Sequence, residues 1–295
     1  MELKNMKYFI TIAREGSITQ AAQVLHMTQP NLSRQIMALE EELGAKLFTR
    51  SNKKSELTED GRKLLQRFDE ILALVDKTEQ EFLGDKGAIQ GAIAIGVIES
   101  ASLPVIAKHV TEFQKQYPQV SFDFVTAYGD DLREKLSHGL LDFVFLTEPV
   151  DVTAFDYLRL ASPDRWGVLV SRSHPLAARD TIRISELPSI PAYLPRRNLL
   201  QQEISSWLGI SEKPAMLGTY TQVLGVVSVL QQDSQHAVAV CLEGAGRLYS
   251  SESLKFIPLA PQKEACNLMI WKKDRMFPPA ARLFHRALAD AVTRR

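Results

Sequence analysis

The chain has 295 residues, 45% hydrophobic and 24% charged, a composition ordinary for globular proteins with a sizeable core and long enough for two or three domains at about 100–200 residues each. No run approaches the roughly 20 apolar residues that span a bilayer, and the opening MELKNMKYFITIAREG carries charges through its apolar stretch, so it does not read as a signal peptide. A formal net charge of +0, from 35 basic and 35 acidic residues, means that any electrostatic case for a nucleic-acid partner must be local.

Leu3, Met6, Phe9, Ile10 and Ala13 recur at three- and four-residue spacing, which predicts an amphipathic helix ended by Glu15-Gly16. Ser17 reads as the N-cap of a short second helix through about Leu25. His26-Met27 makes a turn. Thr28 caps a third helix, with Pro30 in its first turn, where the missing N–H costs nothing. That helix runs to Leu43, with Leu32, Ile36, Leu39 and Leu43 as its inner face, and Gly44 stops it. In LFTRSNKKSELTEDG, polar and basic residues sit between the apolar anchors Leu47-Phe48 and Leu57, which predicts a short β-hairpin, or wing.

Thr58 caps a fourth helix reaching about Leu83, with Gly61 in its first turn. Leu64, Phe68, Ile71, Val75, Thr78 and Phe82 follow one another at spacings of 4, 3, 4, 3 and 4, a heptad seam. The seam predicts a coiled-coil dimer, weakened at the polar Thr78; packing within its own domain is the alternative.

Gly84, Gly87 and Gly91 mark a hinge. Ala92–Ile98 is nearly continuous apolar sequence, as in a strand buried on both faces. A helix at about Ser102–Tyr117, a strand at Val120–Val125, a helix at Asp131–His138 and a strand at Leu141–Leu146 follow, the order of a parallel sheet. A second lobe is expected from near Ala161, with strands at Trp166–Val170, Ser189–Tyr193, Ala215–Gly218 and Ala237–Cys241 and helices at about Leu199–Leu208 and Thr221–Gln231. Leu268–Trp271 and Pro279–Thr293 then return to the first lobe. A chain that leaves a lobe and comes back has the layout of a hinged ligand-binding cleft. The expected boundaries are 1–58 for a winged helix-turn-helix, 59–87 for the linker helix and 88–295 for the sensor. Lobe I then covers about 88–160 and 266–295, and lobe II about 161–265.

The tight turn between the second and third helices suits a helix-turn-helix, with the third helix in a major groove about 12 Å wide. Its start carries Thr28, Gln29, Asn31, Ser33, Arg34 and Gln35; Gln and Asn suit adenine, and Arg suits guanine. The acidic run Glu40-Glu41-Glu42 at its far end is expected to point away from phosphate. The wing carries Lys46, Arg50, Lys53 and Lys54 without one acid between them, a tip suited to phosphates or the minor groove. A solvated basic loop is the plainer reading of that tip.

The residues GSITQAAQVLHMTQPNLSRQIMALEEELGAKLF-T-R, then LTEDG, resemble the LysR-type transcriptional regulators almost position by position over about the first 65 residues. The resemblance implies that Ala21-Ala22 pack closely in the second helix and that Gln29, Pro30, Ser33 and Arg34 lie on the recognition helix. Arg50 enters the wing. The DNA-contacting set is then Ser17, Thr28, Gln29, Pro30, Asn31, Ser33, Arg34, Arg50, Lys53 and Lys54. Lys53 stands where the family usually has Arg; lysine still meets phosphate but lacks the planar fork. FQKQYPQVSFDF, LREKLSHGLLDFVF and HPLA are similar to landmarks of the family's sensor. They imply a periplasmic-binding-protein-like fold of two α/β lobes with an inducer in the cleft. The resemblance also implies homodimers through Leu64, Phe68, Ile71, Val75 and Phe82 of the linker helix, assembled as homotetramers on DNA.

In such lobes ligands sit at the carboxyl ends of strands. Ser100 and Ser102 follow the first strand at a helix start, where N–H groups favour an anion; Glu99 beside them would repel one. Tyr128 follows the second strand. From the second lobe, Tyr193 and the Tyr220-Thr221 helix start face the same space, and Arg196 or Arg197 can pair with a carboxylate. The expected effector contacts are Ser100, Ser102, Tyr128, Tyr193, Arg196 and Thr221. The tyrosines suit an apolar or aromatic ligand as well as an anionic one, and capping serines with solvated arginines are the simpler alternative.

The six histidines are scattered, the two cysteines Cys241 and Cys266 have neither metal nor redox spacing, and no nucleophile elbow or phosphate loop is spelled out. No cofactor or metal is expected, and reduced thiols fit a cytoplasmic setting. The fold expected is an all-α winged helix-turn-helix with a long linker helix, then a two-lobed α/β effector domain. The function expected is a sequence-specific regulator that binds double-stranded DNA at an imperfect palindromic operator under control of a small-molecule effector, with no membrane partner. The alternative from another class is a two-lobed binding module or enzyme whose N-terminal helices serve only oligomerisation.

Overall fold

Apolar spacing at the N-terminus folds α1 (Leu3–Glu15) so that Met6, Phe9, Ile10 and Ile12 are buried. The computed structural model describes residues 1–50, 55–83, 89–208, 215–232 and 236–293, in two units, Met1–Leu83 and Gly84–Arg295. In the first unit, α2 (Ile18–Val24) starts at Ser17, whose hydroxyl accepts the Gln20 N–H at 3.4 Å. His26 (φ 52) takes the left-handed turn before α3 (Gln29–Leu43), and Gly44 (φ 64) ends that helix. The wing pairs β1 (Phe48–Arg50) antiparallel to β2 (Ser55–Leu57). Thr58 Oγ1 accepts the Gly61 N–H at 2.9 Å at the start of α4 (Glu59–Leu83). Phe9 anchors the core, with its ring centroid 5.1 Å from Phe48 and 5.5 Å, edge-on, from Phe68.

Two expectations about α3 change. Leu43 is 40% exposed, not inward. Leu32, Ile36, Leu39 and Leu43 keep a seven-residue spacing that drifts by about 20° per heptad around a straight helix, so the last member turns off the core. Glu40, expected to point away with its acidic neighbours, is buried. It accepts the Leu47 N–H at 2.8 Å and the Phe48 N–H at 3.4 Å, and it pairs with Lys46 Nζ at 2.7 Å.

In the second unit, the sheet of the first lobe runs β4-β3-β5-β14-β6. Its strands are β3 (Gly91–Val97), β4 (Val120–Thr126), β5 (Phe143–Thr147), β6 (Phe155–Arg159) and β14 (Asn267–Lys272). β3 is parallel to β4 and β5, whereas the returning β14 is antiparallel to β5 and β6. Ile93, Ile95, Phe143 and Phe145 face α5 (Ser102–Gln116) and α10 (Pro279–Thr293) in one core. Val144, Leu146 and Ile270 face α6 (Gly129–Ser137) in another. Burial on both faces is why these strands read as unbroken apolar runs.

The second lobe orders β10-β9-β11-β7-β12-β8, with β13 also on β7. These are β7 (Asp164–Ser171), β8 (Ile182–Arg183), β9 (Ala192–Pro195), β10 (Met216–Tyr220), β11 (Val238–Leu242), β12 (Leu254–Ala260) and β13 (Glu264–Ala265). β9, β10 and β11 are mutually parallel along the sheet. Trp166, Val168 and Val240 pack toward α7 (Asn198–Leu208), while Leu169, Ala239 and Cys241 pack toward α8 (Leu224–Gln232) and α9 (Glu243–Tyr249). β6 belongs to the first lobe, and the crossing into the second is made between Arg159 and Asp164.

Candidate DNA interface and effector cleft

α3 buries Leu32, Ile36 and Leu39 and turns its start outward: Thr28, Gln29, Pro30 and Arg34 are exposed, and Asn31, Ser33 and Gln35 half-buried. Thr28 occupies the N-cap position of α3 without a side-chain capping hydrogen bond. Ala21 and Ala22 are buried, and short side chains there let α2 lie close to its neighbours. Ser17 is half-buried at the start of α2. The α3 start therefore offers amide, hydroxyl and guanidinium groups on a rigid helix, the chemistry that reads base edges.

The wing is held by two brackets. Glu40 ties the chain at Leu47 and Phe48 to the end of α3, and Thr58 Oγ1 donates to the Lys46 carbonyl at 2.6 Å. Gly61 is required beside it, since a Cβ there would lie 2.2 Å from the Leu47 carbonyl oxygen. Burial works to raise the Glu40 pKa, but the Lys46 ammonium and the two N–H groups outweigh it and hold the carboxyl below the usual carboxylate range. Lys46 is therefore already matched to an acid, a correction to the wing as an acid-free cationic tip. Lys53, Lys54 and the Arg50 side chain lie outside the described residues.

On α4, Phe68 is 1% exposed, in the core with Phe9, and Leu64, Leu65 and Leu72 pack beside it. Phe68 is thus a core residue of its own unit, because the core face of α4, with Leu64, Leu65, Phe68 and Leu72, overlaps the heptad positions at Leu64 and Phe68. Ile71 is 36% and Leu74 43% exposed, Val75 is half-buried, and the Phe82 side chain lies outside the described residues.

In the second unit a cleft of about 670 Å3, part of it open to solvent, lies between the lobes. It gathers residues at or just beyond the carboxyl ends of β3, β4, β5, β9, β10 and β11, where parallel strands leave room for ligands. Tyr128, Arg196 and Thr221 line it; Ser100, Ser102 and Tyr193 do not. Ser100 and Ser102 are each 1% exposed and hydrogen-bonded to each other at 2.7 Å, so burial keeps the hydroxyls expected to meet a ligand out of the cleft. Tyr193 turns its ring toward Gly218 on the neighbouring strand.

The residues underestimated from sequence are Trp166, Arg197, Leu200 and Glu99, all lining the cleft. Arg197, not its exposed neighbour Arg196, is the buried guanidinium. Glu99 reaches across the cleft: its Oε2 accepts the Val223 N–H at 2.6 Å, and its Oε1 accepts the Tyr249 hydroxyl at 2.5 Å. Asp164 makes a second crossing bond, accepting the Ala101 N–H of the first lobe at 2.7 Å, while its other oxygen accepts the Gly244 N–H of its own lobe at 2.9 Å. Burial pushes the Asp164 pKa up, against those N–H groups. Among the described residues no His, Cys, Asp and Glu cluster is arranged to hold a metal, and no helix is long and apolar enough to cross a membrane.

Two family models match: the bacterial regulatory helix-turn-helix protein, lysR family, over residues 3–62, and the LysR substrate binding domain over residues 86–293. The chain is 32% identical over 192 residues to the uncharacterized HTH-type transcriptional regulator YvbU of Bacillus subtilis (strain 168), spanning 65% of each. It is 27% identical over 288 residues to the Hca operon transcriptional activator HcaR of Escherichia coli (strain K12), spanning 94% of each. The solved structure of CbnR, a LysR family transcriptional regulator, superposes with a TM-score of 0.79 at 19% identity over 99% of both chains, which supports the fold. CbnR has also been solved at full length with its target DNA, and that structure superposes at 0.76 and 20% identity over 100% of this chain and 99% of that one. With both halves matched by family models, the chain belongs to the LysR family of bacterial regulatory proteins.

Proposed function

We propose that this chain is a sequence-specific DNA-binding transcription regulator whose arrangement on DNA responds to a small molecule taken up between its two lobes. The observation that carries the reading is the outward start of α3, with Gln29 and Arg34 exposed while the opposite face is buried. Gln29, Asn31, Ser33 and Arg34 read bases; Ser17, Thr28 and the wing residues Arg50, Lys53 and Lys54 meet the backbone or minor groove. Two copies joined through the exposed part of the α4 seam recognise an imperfect palindrome, and pairs of dimers form the tetramer. Ligand acts by changing the angle between the lobes, and thereby the spacing of half-sites that the assembly can span.

A gel shift on DNA from the gene's own upstream region, with Arg34→Ala beside the wild type, tests this. Wild type is expected to prefer its site. Arg34→Ala is expected to lose about 1–3 kcal/mol of discrimination while keeping salt-dependent nonspecific binding. Equal behaviour of the two proteins on specific and random DNA removes α3 from the reading.

A further inference from the structure

The cleft holds donors that lack acceptors. Arg197 is 6% exposed, and its Nε and Nη2 are buried without a hydrogen bond. Its Nη1 makes one long bond, 3.5 Å, to the Thr147 carbonyl. Asp130 Oδ1 stands 3.7 Å from Nε, beyond hydrogen-bond reach, and is shared with Arg133 at 3.3 Å. Arg133 has a second acid in Asp151, at 3.6 Å. Trp166, another lining residue at 1% exposure, has a buried Nε1 with no acceptor either. Buried donors are normally satisfied, so both point to an acceptor supplied from outside the chain.

The pair Nε and Nη2 is one edge of the guanidinium, the edge that grips both oxygens of a carboxylate. Arg165 shows that edge filled: its Nε and Nη2 donate to the two oxygens of Glu243 at 2.6 and 2.8 Å. The competing anion position in the cleft, the start of α8, is taken by Glu99 through the Val223 N–H. The rest of the wall is largely apolar, with Ile98, Leu146, Leu200 and Leu242.

We propose that the cleft takes a small carboxylate with an apolar or aromatic body, its carboxylate on Arg197 and Trp166 Nε1 rather than at the start of α8, which Glu99 holds. This rests on the reading of the cleft as the effector site. A planar monoanion fits the flat guanidinium edge, whereas the larger charge of a phosphate would meet Glu99 and Asp130 nearby.

Calorimetric titration of the full chain with acetate, hexanoate and benzoate, each against its neutral amide, tests the proposal at millimolar concentration. At least one acid is expected to bind about tenfold or more tightly than its amide. Arg197→Gln removes that preference, Arg197→Lys restores part of it, and Trp166→Phe weakens acid binding less than Arg197→Gln does. Retained DNA binding and an unchanged unfolding midpoint show that a variant is folded. Should Arg197→Gln not fold, an unchanged acid preference in both Arg197→Lys and Trp166→Phe overturns the proposal. So do equal binding of acid and amide, wild-type acid affinity in folded Arg197→Gln, or no binding by any acid. Leu200→Trp, which fills the cleft, separates the two readings. A neutral compound whose binding it abolishes leaves the cleft as the effector site and ends the carboxylate assignment. Acids that bind it as tightly as wild type place the ligand elsewhere and end the cleft reading itself.

Discussion

The Tyr249 hydroxyl, at the end of α9, donates a 2.5 Å hydrogen bond to Glu99 Oε1, just beyond β3 of the other lobe. With Val223 on the second oxygen, this carboxylate ties the two lobes together. Tyr249→Phe removes one charge-assisted bond and leaves Glu99 its backbone partner. The expected cost is about 1–2 kcal/mol in denaturant unfolding of the second unit. Trp166, Trp207 and Trp271 all lie in that unit, so tryptophan fluorescence reports on it alone. An unchanged midpoint would show that the clasp contributes nothing to holding the lobes.

The lobes also approach at Gly244, where an added Cβ would stand 1.9 Å from the Ala101 nitrogen. Backbone cannot rotate aside as a side chain can, so Gly244→Ala must displace one lobe or break the Asp164 bonds to Ala101 and Gly244. A loss of about 1–3 kcal/mol is expected. Gly225→Ala is the control: it lies in α8 with nothing within 4 Å of the new methyl group. As the second residue of α8, in its first turn, it should change stability by no more than about 0.5 kcal/mol, and in the stabilising direction, because alanine has less backbone freedom to lose than glycine. Both are read in the same fluorescence-monitored titration, and equal effects would discount the close approach.

Glu40 gives the first unit a pH dependence. Its carboxyl is depressed in the folded state, so the folded protein binds fewer protons there than the unfolded chain. The stabilisation is then complete above the ordinary value of 4.5 and is lost as pH falls through the depressed native value. Glu40→Gln keeps an acceptor for Leu47 but loses the charge facing Lys46. It should be less stable by about 1–3 kcal/mol at neutral pH, and the two proteins should converge in acid. Helical circular dichroism of the full chain, with the fluorescence transition of the second unit subtracted, measures the difference. Parallel curves down to acid would mean that the Glu40 carboxylate does not brace the wing.

Local signals account for what could be read directly from residues. Ser17, Pro30, Gly44, Thr58 and the unbroken apolar run Phe143–Leu146 act within a turn or a strand, so their meaning survives without tertiary context. Strand β6 escaped because it is a sheet edge with only Phe155 buried, and β12 because it contains Pro258. In the cleft, two adjacent arginines have identical chemistry. Only the packing of α7 and the neighbouring strands decides that Arg197 is enclosed while Arg196 meets solvent. Glu99 looked like an obstacle to an anion, and nothing local could reveal that its partners come from residues over a hundred positions away.

The α4 seam is the case where two packings share one pattern, and it can be divided by substitution. Phe68 sits against Phe9 inside the first unit, whereas Ile71 and Leu74 remain partly open. Phe68→Ala should cost about 3–5 kcal/mol by leaving a cavity in that core. Ile71→Asp buries no charge in the isolated chain, so its unfolding midpoint at high dilution should stay within about 0.5 kcal/mol of wild type. If two copies meet along the open part of the helix, Ile71→Asp should instead weaken self-association, because it would place an unpaired carboxylate in an apolar interface. Sedimentation velocity across a concentration series separates the two effects. A dimer undisturbed by Ile71→Asp would move the association surface off α4 altogether.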